Sequence, residues 1–117
     1  MTFKKSDQFS GNRAFGLELE AAVGRLPASG GKRFDKLFEK HGLEVEIYAP
    51  RGTDKQSPHD RDEIYVVGRG HGVFFNGTER QRFGPGDFLF VPARVEHRFE
   101  EFSADLAVWV IFWGPTV

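Results

Sequence analysis

The chain contains no cysteine, which excludes disulfides, thiolate metal sites, iron–sulfur clusters and a cysteine nucleophile. It has no apolar run near the roughly 18 residues of a membrane span, so no membrane partner is expected. Neither sign of charge is in excess. With 16 basic and 17 acidic residues the formal net charge is −1, and no global field draws nucleic acid or an anionic surface. Polar aromatics are scarce, with two Tyr and two Trp against 13 Phe; most rings therefore fill space without a polar group that needs a partner. The first ten residues, MTFKKSDQFS, lack the apolar segment of a secretory signal, and the expected location is the cytoplasm. There remains a soluble single domain of 117 residues, long enough to bury about two-thirds of its unfolded surface. Any metal it holds must sit on His, Asp or Glu.

Residues 1–31 read as an N-terminal arm followed by a short helix, and residues 33–113 as the main body. From Ala14 to Leu26 the residues Leu17, Ala21, Ala22 and Leu26 fall near helical spacing, and Pro27 stops the pattern. The segment from Arg33 to Lys40 has mixed signals, but pairing across His41-Gly42 would make it a strand. Leu43 to Ala49 alternates, with Leu43, Val45, Ile47 and Ala49 on one side and Glu44, Glu46 and Tyr48 on the other. Beyond Pro50, turn residues recur at short intervals between runs rich in β-branched and aromatic residues: Ile64 to Val67, Val73 to Phe75, Phe88 to Val91 and Leu106 to Trp113. Short strands at roughly 8–12-residue spacing imply an all-β sandwich or barrel. Asn76-Gly77 marks a hairpin, with Arg80-Gln-Arg82 as its solvated arm. The last run is apolar on both faces, and is expected to be a central strand covered outside by the N-terminal helix or a second subunit.

Two of the four histidines lie at informative places. His59 precedes Glu63, which opens a strand, and His97 follows the Phe88 to Val91 strand. Alternate side chains of a barrel point inward, so two imidazoles and a carboxylate from neighbouring strands can converge on one divalent ion. The same alternation places Tyr65 and Val67 on the face of Glu63, and Phe99 on the face of His97. With Trp109 or Phe112 of the last strand, the expected cavity is largely apolar and aromatic. Glu63 could instead pair with Arg61, Arg69 or Arg98. His41 and His71 read as turn and surface residues, and Arg94 and Glu101 as surface residues near the barrel mouth.

The stretch Ser57-x-His59-x3-Glu63-x6-Gly70, followed by Gly86-x5-Pro92-x4-His97, resembles the two motifs of the cupin superfamily. The first family motif reads His-x-His, three or four residues, Glu, six residues, Gly. The second reads Gly, five residues, Pro-x-Gly, two residues, His, three residues, Asn. The resemblance spans about Arg51 to Phe102 and implies an all-β, small cupin-type barrel of the double-stranded β-helix or jelly-roll kind, with a short N-terminal helix. It implies His59, Glu63 and His97 as ligands of one divalent metal. Three positions depart: Ser57 stands for the first metal-binding histidine, Arg94 for a glycine and Glu101 for an asparagine. Ser57 through a water, or Gln56 through its amide oxygen, could fill the open ligand position.

Imidazole suits zinc, iron, nickel or copper, and the carboxylate widens the choice to manganese. Family precedents are dioxygenases, isomerases and decarboxylases. They make a mononuclear metalloenzyme on a small molecule the first expectation, with Tyr65 orienting substrate or supplying a proton. A non-catalytic small-ligand-binding barrel with a degenerate or metal-free site is the alternative. A homodimer is implied by the small single-domain cupins and by the abundance of apolar side chains.

Overall fold

The computed structural model describes residues 13–116. A short helix α1 (Leu19–Val23) and a 3₁₀ turn (Ser29–Gly31) precede eight strands: β1 (Phe34–Lys40), β2 (Leu43–Tyr48), β3 (Asp62–Arg69), β4 (Gly72–Phe75), β5 (Arg80–Phe83), β6 (Phe88–Val91), β7 (Arg98–Glu100) and β8 (Ala107–Trp113). They form a five-stranded sheet in the order β1-β2-β8-β3-β6 and a three-stranded sheet in the order β5-β4-β7. All pairings are antiparallel. This is the all-β barrel that the strand spacing implied.

Turn chemistry sets the local register. His41 and Gly42 both have positive φ, at 51° and 83°, and Lys40 pairs directly with Leu43. Two positive-φ residues between paired strands make the tight turn whose twist suits a hairpin, so the ambiguous segment before it is a strand. The β4–β5 hairpin closes through Asn76, whose side-chain oxygen accepts the backbone N–H of Thr78 and of Glu79. Arg80-Gln-Arg82 is its outer arm.

The helix is shorter than the Ala14 to Leu26 span its periodicity suggested. Gly16 and Gly24 sit outside its two ends, and no side chain caps its start. Each glycine disfavours helix by about 1 kcal/mol relative to alanine, which explains why only five residues remain helical. The apolar residues around it still do what the pattern suggested. Leu17, Leu19, Val23 and Leu26 pack on a buried cluster of Ala22, Leu37 and Ile47, which also takes in Trp109 of β8. Leu19 seats on Gly68 of β3, where a Cβ would stand 2.7 Å from its Cδ1. Arg69 binds Glu20 at 2.9 Å beside it.

Strand β8 lies in the middle of the larger sheet, as its two apolar faces required. Its even residues Val108, Val110 and Phe112 face the space between the sheets, with Tyr65, Val67, Phe74 and Phe99. Trp109 faces the helix instead. The alternative that placed Trp109 in the cavity is therefore corrected in favour of Phe112, by the two-residue period of the strand.

Candidate metal centre

Register places the candidate residues. Glu63 is the second residue of β3, opposite Val91 of β6 on one side and Phe112 of β8 on the other, and points into the barrel. His97 lies one residue before β7, and His59 lies in the connection that precedes β3. That connection is tied down by Arg94 N–H to the His59 carbonyl, and by Ala93 N–H to Asp62 Oδ1 at 2.9 Å. Arg94 and Glu101 have φ of 68° and 47°, so the departures from glycine and asparagine keep a left-handed backbone. Both are exposed.

The ligand atoms of His59, Glu63 and His97 lie within 4.8 Å of one another. His97 Nε2 stands 2.9 Å from Glu63 Oε1, and His59 Nε2 stands 3.7 Å from the same oxygen. His59 packs edge-on against Phe112 with ring centroids 5.2 Å apart. Glu63 and His97 are buried, at 1% and 2% exposure, while His59 is half-exposed toward the cavity. The arginines that might have paired with Glu63 are engaged elsewhere: Arg61 with Glu44, Arg69 with Glu20, and Arg98 with Glu96 and Glu100.

The proton arithmetic leaves a gap at Glu63. His97 Nδ1 lies 2.9 Å from the Val95 carbonyl, which can only accept, so Nδ1 carries the hydrogen. In the neutral ring Nε2 then presents a lone pair to Glu63, and neither Glu63 oxygen receives a hydrogen bond. Burial disfavours the imidazolium, but the Glu63 carboxylate and the Val95 carbonyl outweigh it and raise the His97 pKa. A cation, whether proton or metal, fits between the two groups. Two imidazole nitrogens and a carboxylate oxygen are a ligand set that suits a divalent ion.

A cavity of about 510 Å³ opens over this cluster. Its wall is partly the apolar and aromatic surface expected from the sequence, through Phe34, Tyr48, Val110 and Phe112, but it carries more charged groups than expected. Phe34, Glu44, Glu46 and Tyr48 line one side, and Gln56, Arg61 and Asp60 come from the loop. The reason is that β2 is inverted relative to a simple hydrophobic-in reading. Glu44, Glu46 and Tyr48 pair with Phe112, Val110 and Val108, which face inward, whereas Ile47 faces the helix. Tyr65, Val67 and Phe99 lie below the cavity in the core rather than on its wall. Tyr65 is fully buried, with its hydroxyl 2.9 Å from Gln56 Oε1 and 3.0 Å from His97 Nε2. Burial, and then the Glu63 charge, push its phenol well above the usual range, so it keeps its proton.

Ser57 is exposed and absent from the cavity wall, whereas Gln56 lines it. His41 and His71 are exposed, and His71 N–H is bound by Ser103 Oγ. Glu44 and Glu46, which the sequence reading did not single out, form a carboxyl pair. Burial, helped by the hydrogen bond its carboxyl donates to Glu44, raises Glu46 to about 8. The hydrogen bond from Glu46 lowers Glu44, which also meets Arg61 at 3.2 Å. The pair holds one proton near neutral pH.

Two antiparallel sheets closed around inward-facing imidazoles and a carboxylate define a small β-barrel of the cupin superfamily. The chain belongs to the Cupin_2 family of cupin domains, matched over residues 44–113. It is similar to Uncharacterized protein SCO3923 of Streptomyces coelicolor, at 38% identity over 106 residues that cover 88% of this chain and 97% of the relative. Among solved structures, a cupin-2 domain containing protein of Shewanella frigidimarina superposes with a TM-score of 0.67 at 14% identity, covering 84% of this chain and 94% of its own. KdgF from a Halomonas species does so at 0.61 and 20% identity, covering 70% and 77%. Both structural likenesses establish the fold.

Proposed function

We propose that the barrel is a mononuclear metal-dependent enzyme. It holds one divalent ion on His59, Glu63 and His97 and acts on a small oxygen-bearing molecule in the cavity. The observation that carries this reading is the convergence of His59, Glu63 and His97, whose ligand atoms lie within 4.8 Å of one another around a buried carboxylate that has no hydrogen-bond donor when His97 is neutral. Such a group strongly destabilises the barrel unless a cation neutralises it. Zinc, iron, nickel and manganese all suit the donor set. When bound, the ion polarises a substrate oxygen or lowers the pKa of a water.

The chain's own groups favour proton transfer over redox chemistry. Glu46 presents a carboxyl whose proton is exchangeable near neutral pH, on the wall of the same cavity. That supports an isomerase-type reaction, in which a proton leaves one carbon and returns to another. Phe34 and Phe112 supply apolar contact for the substrate's body. The replacement of the usual first histidine by Ser57 favours a second reading, in which the barrel binds a small ligand without transforming it. We also assign a cytoplasmic homodimer to this reading. Phe88 and Phe90 on the edge strand β6 are 62% and 49% exposed, and a second copy would cover them. Among the described residues, no helix is long and apolar enough to cross a membrane.

Metal content by mass spectrometry, on protein purified without a chelating column, tests the reading. Near-stoichiometric metal in the wild type and its loss in His97→Ala are expected. Metal-free protein that takes up none of the four ions overturns it. Tight small-molecule binding unaffected by a chelator would establish the second reading, and sedimentation equilibrium tests the dimer.

A further inference from the structure

A buried carboxylate, a primary amide and a phenol form a continuous hydrogen-bonded chain beside the centre. The two oxygens of Asp54 accept from the Tyr48 hydroxyl, from the Gln56 side-chain nitrogen at 2.8 Å, and from the Phe99 backbone N–H at 2.8 Å. Asp54 is 8% exposed. With Asp54 accepting, the nitrogen of Gln56 is the end that meets it, and the amide oxygen is turned toward the histidines. That oxygen stands 2.9 Å from the Tyr65 hydroxyl and 3.3 Å from His59 Nε2. A carbonyl oxygen has two lone pairs, and the Tyr65 hydroxyl engages one of them. Donor atoms held at about 2.1 Å by one divalent ion stand about 3.0 Å apart at neighbouring octahedral corners and about 3.4 Å apart at tetrahedral ones. The Gln56 and His59 atoms already have such a separation.

We infer that Gln56, oriented by Asp54, donates its amide oxygen to the His59–Glu63–His97 centre, in the position that Ser57 leaves open. The inference rests on the proposed metal site and deepens it. Gln56 is the ligand, and Asp54 is the positioning residue that determines which end of the amide faces inward. The donor set becomes two nitrogens and two oxygens, which shifts its preference toward ferrous iron and manganese relative to a three-histidine site. A glutamate at position 56 would set two carboxylates against each other, so the amide is the side chain that suits both ends.

The test is zinc affinity by chelator competition on the full chain, combined with 15N spectra of the glutamine side-chain amides with and without zinc. The chain has three glutamines, Gln8, Gln56 and Gln81, so the Gln56 signals are assigned by their absence from Gln56→Leu. We expect Gln56→Leu to bind zinc at least about ten-fold more weakly than the wild type, Ser57→Ala to match it, and the Gln56 amide signals to move on adding zinc. If Gln56→Leu melts early, Gln56→Asn provides the second variant; it keeps the amide, withdraws the oxygen by one methylene, and should lose affinity similarly. Wild-type affinity in either folded variant with an unmoved amide overturns the inference. If His97→Ala then still abolishes zinc binding, the three-residue centre stands without Gln56. A wild type that binds neither zinc, manganese nor ferrous iron overturns the centre itself, and the inference with it.

Discussion

His97 Nε2 faces Glu63 Oε1 at 2.9 Å, and when the imidazole is neutral no hydrogen lies between them. The contact therefore opposes folding of the metal-free barrel at high pH. A glutamine at position 63 could donate to Nε2 instead. At pH 9 the metal-free Glu63→Gln variant should be more stable than the wild type, by about 1–3 kcal/mol in urea unfolding. Its melting temperature should no longer rise on adding metal. A less stable variant would mean that Glu63 already has a partner.

Glu46 makes stability depend on pH in an unusual direction for a carboxyl group. Its folded pKa is raised from 4.5 to about 8. Between those values the folded chain binds more protons than the unfolded chain, so stability falls as pH rises. The contribution is fully present below about 4.5 and is lost as pH rises through about 8. Thermal melts between these limits should show the wild type losing stability relative to Glu46→Gln as pH rises. Parallel profiles would show that Glu46 does not hold the proton.

The two motif glycines with positive φ should respond differently to alanine. Gly86, at 88°, has open space where a Cβ would go, so Gly86→Ala should lose only about 1 kcal/mol from backbone strain. Gly70, at 91°, would place a Cβ 2.6 Å from the Leu106 Cα. Gly70→Ala should therefore lose at least about 3 kcal/mol, from the same strain plus a displaced backbone. Chemical denaturation of both variants checks the difference.

Leu37 is 1% exposed in the cluster under the helix. Leu37→Ala should destabilise the chain by about 2–5 kcal/mol without removing any candidate ligand. Calorimetry reads the loss, and zinc titration of the still-folded variant should remain stoichiometric.

The fold and the clustering of His59, Glu63 and His97 were legible because their signals are local. Turn residues punctuate the strands, and Glu63 sits at a strand start with His59 and His97 shortly before one, with turn glycines and a proline at fixed distances. The charged side of the cavity wall was not legible. Alternation in β2 separates Glu44, Glu46 and Tyr48 from Val45 and Ile47 but does not say which set faces inward. In most half-buried strands the apolar set does. Here the helix and its flanking residues cover the apolar side, which frees the polar side to line the cavity. Asp54 gave no signal at all, since it lies in an irregular connection and its backbone partner Phe99 is remote in sequence. The helix was over-read because apolar spacing records which residues are covered, and covered residues need not all be helical.

Because β2 bears the helix-facing cluster on one side and the cavity wall on the other, the barrel's interior is shaped partly from outside. Ile47 and Glu46 are consecutive residues pointing opposite ways, so a shift that relaxes one moves the other. Trimming Leu19 or enlarging Ala22, which belong to the helix-side cluster and not to the cavity wall, should thus change the width of the chamber. Drift in the N-terminal segment offers the lineage a way to retune what the barrel admits while every residue inside it stays the same.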